Sequence, residues 1–187
     1  MIMRRKNNSG VVSLINNHMD MDFRKYGKAL PLGYRSNNPL NIRYYAGNNW
    51  VGKELPPVET IYGKYEQFRD LAYGYRAALV LLRGRSYISG GNNTIRKIIS
   101  AWAPAKDNNN TESYITNVSR ITGIDPDKVI KRNDKDSLTK IVYAMSISEN
   151  GYKHKYKDDN GDVVTVDLKE TYGLPNMEII NEGWRLL

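Results

Sequence analysis

The sequence predicts a mainly α protein of the α+β kind, a helical domain with small β-hairpin features. Three observations predict it. Apolar residues recur at the helical period between Asp70 and Glu149, and capping or turn residues fill the breaks between those runs. Two-residue alternation then flanks an Asn-Gly pair near the C-terminus. With 187 residues and 40% hydrophobic content, the chain suits one domain with one real core.

Each element has a local reason. Residues 1–32 lack sustained periodicity and read as an N-terminal arm. Residues 33–64 are punctuated by Gly, Asn and Pro, which predicts loops with a small irregular sheet. From Asp70 the residues Leu71, Tyr75, Ala78, Leu79 and Leu82 follow the 3.6 period. Gly90-Gly91-Asn92-Asn93 breaks that run, and Thr94 caps a helix carrying Ile95, Ile98, Ile99 and Trp102 on one side. Pro104 ends it. After the polar loop Asp107–Asn110, a helix with Tyr114, Ile115, Val118 and Ile121 runs to Gly123. Asp125-Pro126 is a further helix-start signal. The last long helix covers about 136–149. Lys153–Lys157 and Val163–Asp167 flank Asn160-Gly161 and predict a hairpin. The tail from Pro175 predicts a short helix docking through Met177, Ile179, Ile180 and Trp184. Residues 152–187 are thus expected to pack on the domain formed by 33–151.

Composition removes several function classes. There is no Cys, so disulfides, thiolate metal sites and Cys nucleophiles are excluded. His18 and His154 stand in no metal-ligand spacing, and no Gly-x-Ser-x-Gly elbow is present. The residues call for no cofactor and no metal. The net charge of +8 permits polyanionic partners. With no helix-turn-helix signature and no continuous basic stripe, nucleic acid is not the expected one. No run would span a membrane. The basic opening is followed by an apolar stretch, Val11–Ile15, too short for a signal peptide, so delivery by other means is expected.

Two features carry chemistry. The stretch Gly33–Gly52 gathers five Asn, two Arg, three Tyr and a Trp around Pro39 and Gly47. Amide, guanidinium and aromatic groups together suit a polymer rich in hydroxyls and amides, although a polar loop with half-buried aromatics has the same composition. The second feature is Glu149. It continues the apolar stripe Leu138, Ile141, Val142 and Met145, since eleven residues return it to within about 20° of Leu138 on the helix wheel. Burial and the negative end of the helix dipole both raise a carboxyl pKa, as a general acid requires. A glutamate marking where the helix emerges into water is the plainer alternative.

Three patches then read together: Arg35-Ser-Asn-Asn-Pro-Leu-Asn-Ile-Arg43 with Trp50-Val-Gly52; Phe68 with Gly74-Tyr-Arg-Ala-Ala78 and Asn93–Pro104; and Ala144-Met-Ser-Ile-Ser-Glu-Asn-Gly151. Their order resembles phage and prophage virion-associated lysins, a family similar to lysozyme-like lytic transglycosylases. The resemblance covers roughly residues 33–151. It implies a lysozyme-like domain in which Ser148-Glu149-Asn150-Gly151 matches the catalytic signature. Asn38-Pro-Leu-Asn-Ile42 stands before the Glu, where ordinary transglycosylases place the equivalent segment after it. That order implies a circular permutation. Leu40 replaces the family's usual Gly, and strain is expected there if that position needs positive φ.

The resemblance implies cleavage of the bond between N-acetylmuramic acid and N-acetylglucosamine in peptidoglycan, with Glu149 as acid and base and the muramyl 6-hydroxyl as nucleophile. Expected substrate contacts are Asn37, Asn41, Arg43, Tyr45, Trp50, Trp102 and Tyr114. Asn41 would hold an N-acetyl group or orient Glu149. Arg43 would meet carboxylates, and Tyr45 and Trp50 would stack on sugars. Trp102 is expected in the core with its indole N–H toward the cleft. A hydrolytic muramidase would need a second carboxylate, for which Glu59, Glu66 and Asp70 are the candidates. A non-catalytic virion or wall-binding protein is the remaining alternative. Peptidoglycan glycan strands are the expected partner, with other virion proteins beside them. The protein would be virion-associated, or made in the bacterial cytoplasm and delivered to the wall.

Overall fold

The computed structural model describes residues 14–15 and 18–187. The readings of residues 1–13 lie outside the described residues. The protein is mainly helical with small antiparallel strand pairs. Strands β1 (Leu14–Ile15) and β2 (His18–Met19) pair first. A short helix α1 (Leu32–Arg35) follows, then the hairpin β3 (Lys53–Thr60) and β4 (Gly63–Phe68). Helices α2 (Leu71–Arg83), α3 (Ile95–Trp102), α4 (Thr111–Thr122) and α5 (Lys135–Asn150) form the body. The chain ends with the hairpin β5 (Lys153–Lys157) and β6 (Val163–Asp167), then α6 (Leu168–Tyr172) and α7 (Met177–Arg185).

The helices start where their caps stand. Asp70 accepts the N–H groups of Ala72 and Tyr73, Thr94 that of Lys97, Asn110 that of Ser113 and Asp134 that of Ser137. Helix α5 runs through the core, with Leu138, Ile141, Val142 and Met145 fully buried. It packs against α4, α2 and α7. Helix α7 lies so close to α2 that a Cβ at Gly183 would sit 2.9 Å from the Ala72 carbonyl. Ile179 and Ile180 are buried there. Among the described residues, no helix is long and apolar enough to cross a membrane.

Two expectations fail, each for a physical reason. Residues 20–32 are no separate arm. Phe23 and Leu30 enter the core around a 3-10 segment at Arg24–Ala29, and the Phe23 N–H donates to the Asn37 side chain. Two apolar anchors without periodicity leave no pattern to read. Asp125-Pro126 starts only a turn, in which Asp125 accepts the Asp127 N–H. The backbone is spent on α3 instead: the Pro126 carbonyl accepts from Arg96 and the Ile130 N–H donates to Asn93.

Candidate active site

The Asn-rich segment is the scaffold of the site, and three of its five asparagines, Asn37, Asn38 and Asn41, do three different jobs. Asn37 is fully buried. Its Oδ1 accepts from Phe23, and its Nδ2 donates to Asp22 and to the Phe68 carbonyl. Asn38 is equally buried and clamps Ile42 through both its N–H and its carbonyl, while also donating to the Glu66 carbonyl. Only Asn41 reaches the acid, donating to Glu149 Oε2 at 3.1 Å. Asn37 and Asn41 both take positive φ, 52° and 50°, a conformation Asn tolerates better than most residues. Leu40 does not adopt positive φ and is buried in the core, so the strain expected at the missing Gly is absent.

This loop is fastened to the end of α5. Asn150 Nδ2 donates to the Pro39 carbonyl at 2.8 Å and to Ser146 at 2.9 Å. The approach needs glycine at Gly33, because a Cβ there would lie 2.3 Å from Asn150 Oδ1. Gly151, at φ 76°, then turns the chain away. Glu149 is left at the floor of an open groove of about 560 Å³, whose walls include Asn41, Arg43, Trp50, Tyr87, Trp102 and Asp107.

Among the described residues, every hydrogen bond to the Glu149 carboxyl comes from a neutral donor. Trp102 Nε1 donates to Oε1 at 3.0 Å and Tyr114 Oη donates to the same oxygen at 2.9 Å. Tyr87 steadies the Trp102 ring from 6.0 Å between centroids. Burial pushes the Glu149 pKa above the ordinary 4.5, and the three donors only partly offset it. Burial and the neighbouring carboxylate also hold the Tyr114 phenol well above its usual value, so Tyr114 keeps its proton and donates. Such a carboxyl can release a proton to a bound oxygen and take one back.

The other candidates divide. Arg43 lines the groove, its guanidinium 4.6 Å over the Tyr65 ring and bonded to the Tyr62 carbonyl. Trp50 lines it too, and among the described residues its buried Nε1 has no partner; neither has the buried Asn41 Oδ1. An unpaired donor and an unpaired acceptor are what a ligand amide or hydroxyl would satisfy. Asn37, expected to contact substrate, does not reach the groove, since its amide is consumed by the Phe23 and Phe68 backbone and the Asp22 carboxylate. Tyr45 is a second such residue: it is 66% exposed, outside the groove wall, and folded over Gly47. Tyr114 is no groove residue either; it touches Glu149 without lining the opening.

The expected second carboxylates are all engaged elsewhere. Glu59 pairs with Lys64, Asp70 caps α2, and Glu66 is buried against Lys53. Asp107 lines the groove instead. Its only signal in the sequence was its place in a polar loop, and nothing local marks it out. No family model matches the chain. Protein P5 of Pseudoalteromonas phage PM2 is 36% identical to it over 124 residues, covering 64% of this chain and 71% of that protein.

Proposed function

The chain belongs to the family of Protein P5 of Pseudoalteromonas phage PM2, and from that premise we propose that it is a lytic transglycosylase acting on peptidoglycan. The single observation that carries this reading is a partly buried carboxyl at the floor of a groove, held by three neutral donors and biased toward its protonated form. A glycan strand lies along the groove. Glu149 donates its proton to the glycosidic oxygen between the muramyl and glucosaminyl residues, and that bond breaks with the electrons leaving on oxygen. The resulting carboxylate accepts the proton of the muramyl 6-hydroxyl as that oxygen bonds to the anomeric carbon. The products are a 1,6-anhydro-muramyl end and a free 4-hydroxyl, and Glu149 has its proton back.

Only one carboxyl is required, because the nucleophile belongs to the substrate. The unpaired Trp50 N–H and Asn41 carbonyl are suited to an acetamido group, and Arg43 to a lactyl or peptide carboxylate. The Asn38–Ile42 segment preceding the acid in sequence while lying beside it in space fits a permuted lysozyme-like order. Asp107 in the groove favours a second reading, hydrolysis by a water activated at that carboxylate.

Mass spectrometry of muropeptides released from purified peptidoglycan tests both. Anhydro-muramyl ends are expected, and reducing muramyl ends would mean hydrolysis. Glu149→Gln should lower the rate by about 10²–10⁴-fold, the usual contribution of a general acid. Cleavage at the wild-type rate by that variant would sink the proposal and leave a non-catalytic wall-binding or virion role.

A further inference from the structure

Beyond Asp107 the groove does not stop. A second open depression, about 630 Å³, lies over the Asp107–Asn110 loop and shares Asn109 with the first. Ser100, Pro104, Ala105, Asn108 and Thr111 line the rest of it, with Glu112 at its edge near Arg96. Residues 103 and 107 face one depression while 104, 105 and 108 face the other, so this short segment is the saddle between them.

The saddle is held in place, yet part of its amide complement stays open. Thr111 Oγ1 donates to the Ala103 carbonyl, Asn109 Nδ2 to the Pro104 carbonyl at 3.1 Å, and Asn110 caps α4. Among the described residues, the Asn108 side-chain amide and Asn109 Oδ1 make no hydrogen bond, while the Asn108 main-chain N–H donates to the Ala105 carbonyl. Asn108 sits at φ 62°, which projects it from a fixed backbone. A primary amide offers two donors and an acceptor, and so matches both ends of an acetamido group and any hydroxyl. Two open, amide-edged depressions in series fit a chain passing through better than a small ligand enclosed in one.

We propose that the depression over Asp107–Asn110 is a second stretch of the binding path for the glycan strand, taking sugars beyond those held beside Glu149. This rests on the reading of the first groove as a glycan site. The consequence is preference for long strands: a short oligosaccharide fills the first groove only, whereas a long strand also meets Asn108 and Asn109.

Binding measured by calorimetry on the uncleaving Glu149→Gln protein separates the two. The probes are peptide-free glycan strands and the tetrasaccharide of the same repeat. Two variants act on the second depression alone. Ser100→Leu fills it from the exposed face of α3, and Asn108→Gly removes the amide while keeping positive φ. Each should weaken long-strand binding by about fivefold to tenfold, the loss expected for one or two neutral hydrogen bonds, and leave tetrasaccharide binding as it was. Equal affinity for long and short probes, or long-strand binding untouched by both variants, overturns the proposal. If length-dependent binding is present but wild-type protein cuts nothing, the acid role of Glu149 falls and the strand path stands. If cutting occurs with no length dependence, the path falls and the acid stands.

Discussion

Two glutamates touch the Asn-rich segment, Glu66 through the Tyr45 N–H and Glu149 through the Asn41 amide, and the protein treats them in opposite ways. Glu66 on β4 is fully buried and meets a full positive charge: Lys53 Nζ lies 3.1 Å from one oxygen and 3.3 Å from the other. Lys53 also donates to the carbonyls of Tyr45 and Asn48 and sits 4.4 Å over the Tyr44 ring. The pair is a clasp that holds the 44–50 stretch, and through it Asn48 and Trp50, as one wall of the groove. Among the described residues, Glu149 meets no cation, only the N–H of Asn41, the N–H of Trp102 and the O–H of Tyr114. An ammonium partner fixes Glu66 in place as half of an ion pair, whereas Glu149, buried among neutral donors, has its pKa raised and is able to carry a proton. The same side chain becomes a structural tie or a proton carrier according to whether its partner has a charge.

The largest expected effect breaks the clasp. Glu66→Ala leaves Lys53 mostly buried without its counter-charge and should cost about 3–5 kcal/mol in urea unfolding. The double variant Glu66→Leu with Lys53→Met should recover much of that loss, because no charge is then stranded. A double variant as unstable as the single would show that packing, not charge, holds this wall.

Glu149→Gln should move stability the other way, and in a pH-dependent manner. The folded-state pKa is raised above its unfolded value, so the stability tied to this group is fully present below the unfolded value. It is lost as pH rises through the folded value. The variant should therefore match the wild type in acid and exceed it at neutral pH. Thermal melts across that range read the difference; a gap that does not widen with pH would contradict the proposed burial penalty.

The smallest effect sharpens the role of the neutral donors. Tyr114→Phe removes one of two hydrogen bonds to Oε1, each of which lowers the Glu149 pKa. The basic limb of the pH–rate profile should shift upward, with a modest loss of rate. An unmoved limb would mean that Tyr114 packs beside the acid without tuning it.

Much of the fold is legible in the sequence. Apolar spacing and caps placed α2, α3, α4 and α5, and the position of Glu149 on the buried stripe followed from three turns of helix. The indole of Trp102 was expected to point at the cleft and does so. Asn41 contacts Glu149 while Asn37, four residues earlier and chemically identical, does not, and no local pattern tells the two apart. Asp107 went unseen while Glu66 was considered as a second carboxylate. Nothing in the run Glu-Gln-Phe says that Lys53 will close over it.

By itself, then, the sequence determined helices α2 to α5 and α7, the hairpin around Asn160-Gly161 and the place of one acid on an apolar stripe, because these depend on periodicity, caps and turns within a few residues. Tertiary structure alone decided which asparagine reaches that acid and which glutamate is neutralised. It alone placed a polar loop at residues 107–110 on the rim of the groove. Those outcomes turn on contacts across many tens of residues and on the sign of φ at single positions, and neither leaves a local pattern in the chain.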